Sequence, residues 1–240
     1  MKDAYDLYRQ FAKDKESPTE KVGRFDSQVE NEKYIFKDVL QKMTRFQESC
    51  DIVLDVGCGC SLPAKELMAY TKKNKQKLYL IDSEEMLTQL DDEPHIHKIE
   101  GFFPEVDLPK GLTKTGADII ICYSVFHLAL QDISYLKFVD ALVTLLAPGG
   151  QLLLGDIANH SKKKRFLSSE KGQAFHKAWS GQEEVPPVHW NQLEADILDD
   201  SIVLAMMHRY RNMGYETYIL PQTLPLPFHY TREDMLICRW

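Results

Sequence analysis

The 240-residue chain lacks the features that tie a protein to a membrane, an oxidising compartment or a nucleic acid. Its longest apolar runs, near 117–130 and 141–154, are interrupted and shorter than the roughly 20 residues that a bilayer span needs. No apolar core follows Met1-Lys-Asp-Ala-Tyr5, so no signal peptide is expected. Cysteine is sparse: Cys50, Cys58, Cys60, Cys122 and Cys238 make an odd number with no Cys-x-x-Cys pair. Cys58 and Cys60 flank a single residue, too close for a structural zinc pattern, and a disulfide framework is excluded. A reducing compartment follows. Positive charge is in deficit, with a net charge of −7 and a pI near 5.6, which gives no global attraction to phosphate backbones. The basic runs Lys72 to Lys77 and Lys162 to Arg165 read as solvated surface. His95 and His97 share a strand face, but no acid or cysteine completes a metal set at a recognisable spacing. Repeats and low-complexity tracts are absent. These absences predict a cytoplasmic protein with no metal, no membrane and no dedicated nucleic-acid partner.

What is present centres on Asp51-Ile-Val-Leu-Asp-Val-Gly-Cys-Gly-Cys-Ser61. Ile52 to Val56 is a buried strand by its β-branched content. Gly57-Cys58-Gly59-Cys60-Ser61 is a turn, and Leu62-Pro63-Ala64 opens a helix in which proline suits the first turn. Strand, glycine turn and helix place backbone N–H groups and bare Cα surfaces beside a ligand at the strand's carboxyl end. A dinucleotide wants Gly-x-Gly-x-x-Gly, and here the third position is Leu62, which argues against a pyrophosphate. A second strand, Lys77 to Asp82, ends in an acid 27 positions after Asp55. That distance suits one crossover helix, and a carboxylate there can accept both ribose hydroxyls.

Asp55, Gly57 and Gly59 match Asp-x-Gly-x-Gly-x-Gly, with Ser61 in place of the last glycine. On this motif, and on Asp82, the chain resembles the class I methyltransferases that use S-adenosylmethionine (SAM), from about residue 50 to its end. A third likeness is the leucine-rich helix, Pro148-Gly149-Gly150 and the apolar strand Gln151 to Ile157. The resemblance implies an α/β, Rossmann-like, seven-stranded and mostly parallel sheet with an antiparallel last strand and helices on both faces. It implies SAM as cofactor and S-adenosylhomocysteine (SAH) as product. The residues it points to for the cofactor are Asp55, Gly57, Cys58, Gly59, Ser61, Asp82, Ser83, Met86, Gly101, Phe102, Phe103, Tyr123 and Ser124. Many relatives carry an acid after the glycine at 101 that bonds the adenine amino group. Phe102 stands there, so stacking by Phe102 or Phe103 is expected instead.

In chain order, Tyr5, Leu7, Tyr8 and Phe11 suggest an amphipathic helix, Ser17-Pro18-Thr19 breaks it, and Tyr34 to Met43 follows helical spacing. Residues 1–49 are read as an N-terminal helical extension and 50–240 as the cofactor domain; the resemblance implies that such an extension packs over the cofactor site and helps form the acceptor pocket, with a helix that only covers the sheet edge as the alternative. After the glycine turn come a helix over about 63–73, another from Ser83, and a strand from His95 to Glu100. Ala117 to Cys122 is the strongest buried-strand signal. A helix is expected from Gln131 to Leu146 and a turn at 147–150. Residues 158–200 break the alternation as an insertion after the fifth strand, with helical spacing over Leu193 to Leu198, and read as a lid over the acceptor. Ile202 to Met213 is a helix closed by Gly214, followed by strands at 215–220 and 233–240.

Methyl transfer from a sulfonium is an in-line displacement in which the protein mainly orients. His127, just past the fourth strand, titrates near neutrality in the ordinary case and is a candidate base, with a cap or core role as the alternative. Asp156, ending the fifth strand, is a candidate to orient it or bind the acceptor. The Asn/Asp-Pro-Pro-Tyr of amino-methylating nucleic-acid and glutamine enzymes is absent, and Cys122-Tyr-Ser-Val stands in its place. The Pro-Cys of cytosine-C5 enzymes is also missing, so a small-molecule acceptor is favoured. Gly155 to Glu170 resembles uncharacterised bacterial methyltransferases found with surface-sugar genes, which points to a sugar-like acceptor. Alternatives are a methyltransferase whose Lys162 to Arg165 run grips RNA or protein, a non-catalytic SAM-binding protein, and a dehydrogenase-like domain.

Overall fold

A computed structural model describes residues 3–192, 194 and 197–240. Seven strands form one sheet in the order β3-β2-β1-β4-β5-β7-β6. Their ranges are β1 Ile52–Val56, β2 Lys77–Asp82, β3 Ile96–Glu100, β4 Ala117–Tyr123, β5 Leu146–Ala158, β6 Glu216–Pro221 and β7 Arg232–Cys238. β7 runs antiparallel to both β5 and β6, and the other pairings are parallel. This is the α/β, Rossmann-like architecture that the sequence predicts.

Both sheet faces are buried, which is why the central strands read as near-continuous apolar runs. Alternate residues serve opposite cores. Leu54, Val56, Ile120, Cys122, Leu152 and Leu154 join one cluster, while Val53, Ile119, Ile121 and Leu153 join the other. The first face is covered by α8 (Phe126–Ala129), α9 (Tyr135–Thr144) and α12 (Asp200–Asn212), through Phe126, Phe138, Leu142, Met206 and Tyr210. The second is covered by α4 (Ile35–Lys42) and α5 (Leu62–Lys73), through Phe36, Val39 and Leu67.

The remaining helices are α1 (Asp3–Asp14), α2 (Pro18–Lys21), α3 (Val29–Glu32), α6 (Glu84–Leu87), α7 (Lys110–Thr115), α10 (His160–Leu167) and α11 (Glu170–Ser180). α1 docks through charge: Arg9 and Lys13 reach Glu85 at 2.8 and 2.9 Å. α4 docks through Lys42, which bonds the fully buried Asp234 of β7 at 2.6 Å. Asp234 also accepts from the Asp156 backbone N–H at 2.7 Å and from Gln222 at 2.9 Å, so this buried carboxylate is satisfied on several sides.

Three expectations change. The helix expected over 131–146 starts late and ends early, as α9, and its first residues form a turn after α8 in which Asp132 N–H and Ile133 N–H both donate to the Ala129 carbonyl. Ser134 then takes the N-cap position of α9 without a side-chain cap bond. The turn expected at 147–150 lies within β5, because Ala117 already pairs with Leu146 before the register shifts and Ile119 pairs with Gln151. A short bulge replaces a clean strand start. The helical reading over Leu193 to Leu198 includes Leu193, Ala195 and Asp196, which lie outside the described residues; Glu194, Ile197 and Leu198 belong to no helix.

Candidate active site

The strand order reverses between β1 and β4, the position where open α/β sheets bind ligands beyond their carboxyl ends. A cavity with about 1150 Å³ of empty space, its open mouth included, lies there. Its floor is the glycine turn. Gly57 and Gly59 hold left-handed φ values of +73° and +62°. A Cβ on Gly57 would lie 2.4 Å from Val125 Cγ2, and one on Gly59 would lie 2.6 Å from Val22 Cγ1. Larger residues are therefore refused both by the backbone and by space. The turn is pinned to β2 by the Gly57 N–H, which donates to the Ile81 carbonyl at 2.8 Å.

Asp82 at the end of β2 accepts from Gly59 N–H at 2.8 Å and from Ser83 N–H at 2.7 Å. Burial pushes its carboxyl up to about 6 against the pull of those two N–H groups. Asp55, on the wall below, is pushed up to about 8 by burial and then by the charge of Asp82. Cys58 lines the cavity, and burial pushes its thiol well up, so it serves as a small apolar wall residue. Ser61 is the N-cap of α5 but makes no side-chain cap bond. Its hydroxyl accepts instead from Arg24 at 3.3 Å.

Met86, Gly101, Phe102 and Phe103 form another wall. Phe102 meets the ring of Tyr5 edge-on at 5.4 Å, and Phe103 meets Phe138 at 5.6 Å. Tyr123 and Ser124 complete the lining at the end of β4. Gly155 makes room for Tyr123, since a Cβ there would lie 2.2 Å from the ring. Ser124 directly follows β4, whereas Asp156 does not end β5 as expected but sits within it at the register shift between Leu154 and Ile157; both hold left-handed φ, +61° and +58°. The Ser124 hydroxyl donates to Asp156 at 2.7 Å. Two non-glycine residues thus hold sparsely populated backbone on adjacent strands beside the cavity.

Ser83, His127 and Asp156 stand outside the cavity lining. Ser83 is occupied as the N-cap of α6, accepting from Met86 N–H. Asp156 touches the site through Ser124 and lies 3.8 Å from Arg232. His127 does not titrate near neutrality: burial and the nearby Arg232 charge hold its imidazole down to about 3. That is a correction to the ordinary histidine behaviour assumed from the sequence. The Lys162 to Arg165 run is also largely committed, with Lys162 on the Arg232 carbonyl, Lys164 on Glu194 and Arg165 on Asp200.

Sequence reasoning missed Tyr5, Tyr8, Arg24 and Asp132, all on the cavity wall. Arg24 is the hub: it pairs with buried Glu32 at 3.0 Å, and its guanidinium also reaches Ser61 and, at 3.1 Å, Ser124. No spacing rule links a loop arginine to a helix-cap serine and a strand-end serine, so only the fold reveals it. No described residue of 158–200 lines the cavity, while residues of α1, α4 and the loop at 22–24 do.

The sequence matches no family profile and no characterised protein. The fold does have solved counterparts. The plantazolicin methyltransferase BpumL, solved with SAH and a triazolic desmethylPZN analogue, is 14% identical with a TM-score of 0.59, over 100% of this chain and 97% of that one. The N-methyltransferase NodS from Bradyrhizobium japonicum WM9 is 14% identical with a TM-score of 0.54, over 89% and 98%. A SAM-dependent methyltransferase from Aquifex aeolicus is 16% identical with a TM-score of 0.50, over 89% and 93%. At such identities the likeness shows the fold.

Proposed function

We propose that this chain is a SAM-dependent methyltransferase acting on a small-molecule acceptor, with SAH as product. The observation that carries the proposal is Asp82, fixed by Gly59 N–H at 2.8 Å in one cavity with two left-handed glycines. The residues fit the cofactor in kind. Asp82 accepts from ribose hydroxyls, as acids at this strand end do. The bare Cα atoms of Gly57 and Gly59 let the amino-acid portion approach the backbone. Arg24, beside Ser61 and Ser124, places a cation where a carboxylate would lie. Tyr5, Phe102 and Phe103 supply aromatic faces for a base.

The cofactor, when bound, supplies an activated methyl group to an acceptor atom. The chain's residues then position the two reactants at the corner of Ser124 and Tyr123. Asp156 holds Ser124 in place, and an acceptor proton leaves to that hydroxyl–carboxylate pair or to water. His127, neutral and off the wall, is assigned a structural role. The helical extension, residues 1–49, covers the cofactor cavity of the 50–240 domain, and the 158–200 segment is left as decoration at its side. An RNA- or protein-directed enzyme loses support because most of the basic run is paired within the chain. The narrower sugar-like acceptor rests on the 155–170 segment alone.

Calorimetry with SAH tests the reading, followed by a metabolite screen with methyl-labelled SAM. Asp82→Ala removes charge-assisted bonds worth about 1.5–3 kcal/mol, so SAH affinity should fall about ten- to hundred-fold. Failure of the wild-type protein to bind SAH, or unchanged affinity in a folded Asp82→Ala variant, would sink the cofactor assignment.

A further inference from the structure

We propose that Asp132 recognises the 6-amino group of the cofactor's adenine, taking over the role that Phe102 leaves vacant after Gly101. The inference rests on the methyltransferase reading above. Asp132 lies in the turn between α8 and α9 and lines the cavity together with Leu128 and Ala129. Its Oδ2 accepts from the Tyr5 backbone N–H at 3.3 Å. Its Oδ1 is buried and has no hydrogen-bond partner. No cation pairs with Asp132 among the described residues, and the cap of α9 is Ser134 rather than Asp132. A buried carboxylate oxygen left unmatched carries its full desolvation penalty, so such atoms call for a donor.

The surroundings say which donor. Tyr5 spans two acids: its backbone N–H is on Asp132, and its hydroxyl is pushed up to about 12 by burial and then by the charge of Asp82. Its ring also meets Phe102. Asp82 is the ribose end, so Asp132 marks the other end of an aromatic-walled slot. A flat base between the ribose acid and Asp132 would present its edge to Oδ1. Adenine carries an amino donor on that edge. A carboxylate from a different loop thus provides an acceptor that the chain lacks at residue 102.

The test compares SAH with its 6-deamino (purine) analogue, by calorimetry on the full chain. Wild type should bind the analogue about ten- to hundred-fold more weakly, the worth of one charge-assisted hydrogen bond. Asp132→Leu should bind both within about threefold, because no acceptor remains to miss the amino group. Asp132→Asn, which keeps an acceptor for the Tyr5 N–H, should give a preference below wild type, and it carries the comparison if the leucine variant does not fold. A wild type that binds both equally, or a folded variant that keeps the wild-type preference, would overturn the proposal. Absence of SAH binding by wild type itself would overturn the methyltransferase reading instead.

Discussion

Two segments lie outside the sheet and are alike in composition: residues 3–47 and residues 159–200. Each is polar, carries scattered aromatics and contains short helices. The fold treats them differently. The first sends Tyr5, Tyr8, Val22, Arg24 and residues of α4 onto the cavity wall. The second packs on itself and on the β6–β7 loop, with Phe166 stacked on Tyr230 at 4.4 Å and Phe175 edge-on to the same ring. The two meet through Phe25 and Trp179, 5.9 Å apart and each about half exposed. The difference comes from topology. A segment that precedes β1 reaches α5 and the glycine turn, whereas one that leaves β5 emerges beyond β4, on the far side of Ser124. Composition carries no trace of that choice.

The strongest way to break the comparison is to cut the tie at Arg24. Its guanidinium is 11% exposed and its partner Glu32 is 2% exposed. Glu32 also accepts from the Thr19 hydroxyl, at 3.2 Å. Arg24→Ala leaves a buried carboxylate nearly unpaired, which costs about 3–5 kcal/mol. Urea denaturation should show that loss, together with weakened SAH binding, since the wall at Ser61 and Ser124 opens. Arg24→Lys should recover part of the stability through its charge but not the three-way contact. A folding midpoint unchanged in Arg24→Ala would mean that the N-terminal segment is held by its apolar face alone.

A smaller effect sharpens the same contrast. Limited proteolysis with and without SAH should show protection of the 15–33 region, whose Val22 and Arg24 line the cavity, and no ligand effect on 181–192. Ligand binding to the folded state suppresses opening of the parts that form its site. Protection of 181–192 instead would restore the insertion as the lid. This is where sequence reading reached its limit. The sheet, the glycine turn and Asp82 were legible because they follow local rules: β-branched runs, a glycine pair, and an acid one crossover away. The covering segment was legible only in part: the N-terminal helices were left open between packing over the cofactor site and covering the sheet edge, because that choice depends on which loop a fold brings over a strand end. Asp132 was hidden for a related reason. It sits in the turn between α8 and α9, which sequence reading takes as the start of the helix over 131–146, and the turn shows only where the Ala129 carbonyl accepts from the Asp132 and Ile133 N–H groups.

The smallest expected effect concerns His127, which the strand-end corner makes a candidate base and its surroundings make an inert one. A base must accept a proton at working pH. This imidazole is held down to about 3 by burial and by Arg232, so it stays neutral and weakly basic across pH 5 to 9. Its Nδ1 is buried without a partner. His127→Gln should therefore leave SAH affinity and turnover unchanged at neutral pH, once an acceptor is in hand. The substitution should still register in stability against pH. The unfolded chain binds a proton at this histidine below about 6.5, while the native state does not until near 3. Between those values the unfolded state holds more protons, so this residue makes wild-type stability fall as pH drops. Glutamine removes that contribution. The thermal midpoint of His127→Gln should hold up better than wild type between pH 6.5 and 5, with the two curves parallel above pH 7.5. A turnover loss that shrinks as pH rises, with cofactor affinity intact, would instead return His127 to the chemistry and make the α8 corner, rather than Ser124 and Asp156, the place where the acceptor proton leaves.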